Sequence, residues 1–143
     1  MQYYLIKSLS KIVCFLPYGL ILAIGRMLGK IYFHLAKKQV NRAIDQIKDR
    51  LRYTDAQAEH LVRNMCKNLG MTLMEVLYIP NLNKNNIRDF VTIENPEIIQ
   101  KAIDEGKGVV ALAAHLDNWE WQGAALSLYG FPLTSMLKPQ PNP

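Results

Sequence analysis

The sequence predicts an α/β fold in which membrane-associated N-terminal helices precede a parallel-type sheet with helices on its faces. Three features of the 143 residues carry this expectation. Half of them are hydrophobic, which supports one packed core and argues against disorder. Basic and apolar residues are interleaved at the start of the chain. Further on, apolar runs bounded by cap and turn residues alternate in the order β-α-β-α-β, which implies parallel strands with right-handed crossovers.

The net charge of +5 is unevenly placed. Residues 1–44 hold Lys7, Lys11, Arg26, Lys30, Lys37, Lys38 and Arg42 and no acid, whereas the remainder has 10 bases and 12 acids. The run "IVCFLPYGLILAIG" is fourteen residues long, shorter than the ~20 of a membrane-spanning helix, and it contains Pro17. It suits a membrane interface better than a crossing. Ile21, Ile24, Leu28, Ile31 and Leu35 then recur at helical spacing as one apolar stripe. Arg26, Lys30, Lys37 and Lys38 are left to face anionic headgroups. The alternatives are a signal peptide, for which no clear cleavage site is present, a soluble core helix, which leaves the missing acids unexplained, and a tilted span from Tyr3 to Ile24 with Lys7 and Lys11 snorkelling. Residues 1–44 are thus expected to be a basic, amphipathic, membrane-associated region, and 45–143 to belong to the α/β domain.

"TDAQAEHLVRNMCKNLGMTLMEVLYIP" predicts a long amphipathic helix. Thr54 and Gln57 have capping-box spacing, Ala58, Leu61, Val62, Met65, Leu69, Leu73, Val76 and Leu77 share one face, and Pro80 ends the pattern. After the loop "NLNKNN", "RDFVTIE" predicts a short strand. Asn95 and Pro96 are the N-cap and first-turn pair of a helix over "PEIIQKAIDE", which Gly106 can close. "GVVALAA" is apolar at successive positions, as a parallel strand covered on both faces would be. A helix from Trp119 to Tyr129 follows, capped by Asp117 or Asn118, and "LTSML" predicts a further strand. Cys14 and Cys66 have no CxxC or His-rich company and are expected to be buried thiols, with no metal site.

This order places His115 at the carboxyl end of a strand, where open α/β sheets bind ligands, and Glu120 in the first turn of the next helix. A carboxylate so placed can hold one imidazole N–H and leave the other nitrogen as a base. The plainer alternative is that His115 ends a strand through a backbone hydrogen bond while Glu120 complements the helix dipole. Zinc is less plausible, because no third ligand accompanies the pair. No G-x-S-x-G elbow is present, and Ser127 lies two helical turns on.

"AAHLDNWEW" resembles the H-x-x-x-x-E motif, usually H-[FL]-G-N-W-E, of the bacterial lipid A biosynthesis acyltransferases of the lauroyl and myristoyl type, within the lysophospholipid acyltransferase superfamily. "FLPYGLILAIGRMLGKIYFHL" is similar to that family's membrane-associated N-terminal region. "VRNMCKNLGMTLMEVL" is similar to its asparagine- and glutamate-bearing helix, and "MLKPQPNP" to its strand and Asn-Pro after the motif. The resemblance implies His115 as general base, Glu120 as its charge partner, and direct acyl transfer from acyl-carrier protein to a hydroxyl or hydroxyacyl group of a lipid A precursor. It implies no other cofactor and no nucleic-acid partner, and it places the protein at the cytoplasmic face of the bacterial inner membrane, in contact with anionic lipid. Asn118 and Lys138 are the candidate substrate contacts, whereas Trp119 is expected to pack beneath the turn.

Asp117 departs from the motif's usual glycine, adding a carboxylate beside His115, although aspartate is among the few side chains that tolerate a positive φ. The family continues beyond the point where this chain stops, with further strands and helices and an arginine-bearing segment associated with substrate phosphates. The expectation is therefore a fragment holding an incomplete αβα acyltransferase fold, inactive by itself. The rival functions are a membrane-binding fragment without turnover and a soluble thioesterase-like hydrolase, which has little need of a basic, acid-free N-terminus.

Overall fold

The computed structural model describes residues 2–114 and 116–135. Every regular element among them is helical: α1 (Gln2–Phe15), α2 (Tyr18–Leu35), α3 (Lys37–Leu51), α4 (Asp55–Tyr78), a 3-10 turn (Ile79–Asn81), α5 (Ile87–Phe90), α6 (Pro96–Asp104) and α7 (Trp119–Tyr129). The predicted parallel sheet with helices on its faces is contradicted. "RDFVTIE" forms the single turn α5 and an irregular segment. "GVVALAA" carries no ladder, and residues 133–135 of "LTSML" are irregular, the rest of that segment lying outside the described residues. The reason is physical. A strand exists only where another strand completes its N–H and C=O ladder, and none is present among the described residues. Val110 and Leu112 are accordingly 90% and 97% exposed, where a covered parallel strand would bury them.

By contacts the chain divides into two compact units, the first comprising residues up to Asn81 together with Leu116–Asn118. Pro17 separates α1 from α2, as its missing N–H requires. The helix ends on either side find partners. Ser10 Oγ donates to the Leu77 carbonyl at 2.7 Å, and Asn81 Nδ2 donates to the Cys14 carbonyl at 2.6 Å, so carbonyls left over at the ends of α4 and α1 are satisfied.

The frame of this unit is the antiparallel pair α2 and α4. Ile21 packs with Met74 near one end, and Phe33 with Val62 and Cys66 near the other. Between these clusters lie Gly25 and Gly29 on α2 and Gly70 on α4. A Cβ added at Gly25 would stand 2.7 Å from the Gly70 carbonyl oxygen, and one added at Gly29 would overlap the backbone at Cys66 and Lys67. Only glycine lets these backbones meet.

That contact also sets which apolar face is inside. On α2 the buried line is Ile21, Gly25, Gly29 and Phe33, so the C-terminal part of the expected stripe, Leu28, Ile31 and Leu35, is exposed. On α4 it is Ala58, Val62, Cys66, Gly70 and Met74, while Met65, Leu69 and Leu73 face outward. Both lines advance four residues at a time, the ridge that packs into a facing groove. Cys66 is buried, which pushes its thiol pKa up, whereas Cys14 is only half-buried.

The local signals around α4 hold. The Gln57 N–H donates to Thr54 Oγ1 at 3.4 Å and the Thr54 N–H donates to Gln57 Oε1 at 3.0 Å, a complete capping box. Lys48 of α3 forms an ion pair with Asp55 in the first turn of α4.

The second unit comprises residues from Leu82 through the chain before Leu116, and from Trp119 onward. Its interior is small: Leu82, Ile87, Trp121 and Ala125 are buried. The Phe90 and Trp121 rings meet edge to face at 5.6 Å, and Tyr129 Oη donates to the Val91 carbonyl at 2.6 Å. Helix α6 begins at Pro96 as expected, and Gly106 follows it with φ of 69°. Asn95 precedes it in a left-handed conformation (φ 50°) without the expected side-chain cap.

Candidate functional site

The residues of "HLDNWE" fall in three places. His115 lies outside the described residues, as does Lys138. Leu116, Asp117 and Asn118 group with the first unit, and Trp119 and Glu120 open α7 in the second.

Within the first unit the motif residues meet α4. Asn118 Nδ2 donates to Glu75 Oε2 at 2.8 Å, across 43 residues of sequence. The other carboxylate oxygen of Glu75, Oε1, accepts from Tyr18 Oη at 2.6 Å. Tyr18 is the first residue of α2, delivered there by the break at Pro17, and its ring is tilted against that of Tyr78 at 5.8 Å. Burial, and next the hydrogen bond to Glu75, push the Tyr18 phenol pKa well above its ordinary value, so it stays a neutral donor.

Asp117 has φ of 46°, the left-handed region that L-residues enter at a cost of roughly 1–2 kcal/mol and that glycine enters freely. A conformation that favours glycine is therefore adopted here by aspartate, one of the few other side chains that tolerate it.

Glu120 lies in the first turn of α7, where the sequence placed it, among backbone N–H groups favourable to a carboxylate. Trp119 Nε1 donates to Glu120 Oε1 at 3.1 Å, and Trp119 is 39% exposed. Trp119 is thus more exposed than packing beneath the turn would leave it, whereas Trp121 is buried, its ring against that of Phe90. Two residues further along a helix is enough to turn a side chain from solvent to interior.

Sequence reasoning gave no role to Tyr18 and noted Glu75 only as part of a glutamate-bearing helix. The available signal for Glu75 was an acid set between Met74 and Val76 on an otherwise apolar stretch; Tyr18 offered none. Among the described residues, no group of three or more His, Cys, Asp or Glu converges as a metal site would require.

Comparison with known proteins gives a consistent result. Over residues 1–143 the chain matches the family described as bacterial lipid A biosynthesis acyltransferase. It is 26% identical over 136 residues to a lipid A biosynthesis acyltransferase of Haemophilus influenzae, in an alignment covering 92% of this chain and 42% of that relative. The chain thus spans about two-fifths of the length of the curated relative it matches. No solved structure matches it significantly.

Proposed function

Since the chain belongs to the bacterial lipid A biosynthesis acyltransferases, we propose that its site moves a fatty acyl chain from the thioester of an acyl-carrier protein to a hydroxyl or hydroxyacyl group of a lipid A precursor. The observation that carries this reading is the order of the motif on the backbone. Histidine is followed by a left-handed residue, a tethered asparagine and a glutamate in the first turn of a helix.

In this mechanism His115 takes the proton of the acceptor hydroxyl as that oxygen attacks the thioester carbonyl. The tetrahedral intermediate collapses, the carbon–sulfur bond breaks, and the carrier's thiolate recovers the proton from the imidazolium. Glu120 stabilises the imidazolium while the charge is present. Transfer is direct, so no serine nucleophile is needed.

Support for a lipid-facing role comes from α1. Tyr3, Tyr4, Leu5, Ile6, Ile12 and Phe15 are exposed beside Lys7 and Lys11, Phe15 at 89%. Among the described residues, no single helix is long and apolar enough to cross a membrane, whereas α2 and α3 together, bent by 88°, reach that length and composition. An apolar face rimmed by bases and free of acids suits the anionic cytoplasmic surface of the inner membrane.

The test is acyl transfer from acyl-carrier protein to lipid A precursor by this chain and its variants in a full-length context. His115→Ala should lose ~10²- to 10⁴-fold in turnover, and Glu120→Gln should lower kcat more than it raises KM. Near-normal turnover by His115→Ala would overturn the assignment of the base.

A further inference from the structure

The motif turn carries a hydrogen bond that general-base chemistry does not itself use. Asn118 is held by Glu75, a residue 43 positions earlier on α4, and the same carboxylate is held by Tyr18 at the start of α2. We propose that Glu75 is a positioning residue for the proposed acyl-transfer motif. Its two oxygens, one engaged by Tyr18 and the other by Asn118, clamp residues 116–118 onto the α2–α4 pair.

Several features make this more than an incidental surface contact. Each Glu75 oxygen meets its donor at hydrogen-bond distance, 2.6 and 2.8 Å, and Glu75 is half-buried, where a charge-assisted bond is stronger than in open water. Tyr18 remains protonated through burial and through Glu75 itself, so it cannot turn into a competing anion near neutral pH. The pair to which the clamp is fixed is rigid, because Gly25, Gly29 and Gly70 bring its backbones into contact. Finally, the segment being held and the run before it bury little apolar surface. Leu116 and the apolar residues Val110 and Leu112 before it are exposed, and Asp117 sits in a conformation it would not choose. An uncommon backbone conformation persists when its surroundings over-determine it, and the Asn118–Glu75 bond supplies part of that constraint.

The bond has a chemical signature that can be exchanged. Asn118→Asp sets a second carboxylate against Glu75 and should break the clamp. In the double variant Glu75→Gln with Asn118→Asp, the introduced glutamine can still accept from Tyr18 through its oxygen and can donate to the introduced aspartate through its nitrogen. The donor and acceptor have traded places and the geometry is restored.

The experiment compares wild type, Asn118→Asp and the double variant by unfolding, by 15N relaxation of residues 116–118, and, in a full-length context, by acyl transfer. Asn118→Asp should lower the folding equilibrium constant about tenfold and loosen residues 116–118 while α4 stays ordered, and the double variant should recover most of both losses. In acyl transfer kcat should fall about tenfold or more in Asn118→Asp with little change in KM, and return in the double variant. If the single and double variants are equally impaired, or if residues 116–118 are equally ordered in all three, the clamp is refuted. The proposal rests on the acyl-transfer reading only for its third measurement. Absent wild-type turnover in a full-length context, or turnover there indifferent to His115→Ala, sinks that reading, and the unfolding and relaxation results still decide whether Glu75 holds the turn. Turnover that depends on His115 but is not rescued by the double variant removes the positioning role alone.

Discussion

Gly70→Ala should destabilise the chain, although the same change in an ordinary helix interior stabilises. Alanine is worth ~0.8–1 kcal/mol over glycine in a helix, so propensity alone predicts a gain. At this position the new Cβ would overlap the Gly25 carbonyl oxygen and stand 2.8 Å from the Gly29 nitrogen. Both obstacles are backbone atoms, which no rotamer change can move, so α2 and α4 must part. Parting them loosens the clusters at both ends of the contact, Ile21 with Met74 and Phe33 with Val62 and Cys66. Overpacking of this kind costs ~1–3 kcal/mol, and a rigid obstacle puts Gly70 at the upper end. Subtracting the propensity gain leaves ~2 kcal/mol of net loss. For a unit of about 80 residues each kcal/mol shifts Tm by ~4–8 °C, so Tm should fall by ~8–16 °C. The control is Gly19→Ala in the first turn of α2, where a Cβ meets nothing within 4 Å and a small gain is expected. Thermal unfolding followed by far-UV circular dichroism reads both. If Gly70→Ala raises Tm as Gly19→Ala does, the helices are not in backbone contact and the account of the α2–α4 pair is wrong.

Two further outcomes follow from the same frame. The folded chain holds the Tyr18 proton more tightly than the unfolded chain, so stability is full below the phenol's ordinary value of 10.0 and is lost progressively as pH rises above it. Urea midpoints across this alkaline range should therefore fall more steeply for wild type than for Tyr18→Phe, and equal slopes would show that the phenol is not held by Glu75. At the N-terminus, binding to anionic vesicles should weaken with salt and with loss of Lys7 and Lys11, each base near such a surface contributing ~1 kcal/mol within a Debye length of ~10 Å at 0.1 M salt. Equal binding to neutral and anionic vesicles would leave only the apolar face of α1 at work.

Features decided within a few residues were legible in the sequence. The Thr54–Gln57 box, the break at Pro17, the start of α6 at Pro96 and its close at Gly106, and Glu120 in the first turn of α7 all depend on backbone groups one helical turn apart or less. The resemblance of "HLDNWE" to an acyltransferase motif was legible for the same reason, being contiguous, and the family match over residues 1–143 bears it out.

What depended on a distant partner was not legible. Leu28, Ile31 and Leu35 have the same helical period as Ile21, Gly25, Gly29 and Phe33, and hydrophobicity favours the former. The latter face inward because two backbones can approach only where glycines leave room, and that requires knowing that Gly70 lies opposite. The apolar run at 108–114 predicts a strand because apolar residues at successive positions imply burial on both faces. A ladder partner decides that question, and none is found among the described residues. Glu75 and Asn118 are silent as a pair for the same reason: 43 residues of sequence separate two groups that tertiary structure brings within 2.8 Å. The sequence by itself determined where helices start and stop and which family the chain belongs to, since those signals are carried by neighbouring residues. The tertiary structure alone decided which faces are buried, that the apolar run finds no strand partner among the described residues and what holds the motif turn, since each of these is a property of two segments and not of one.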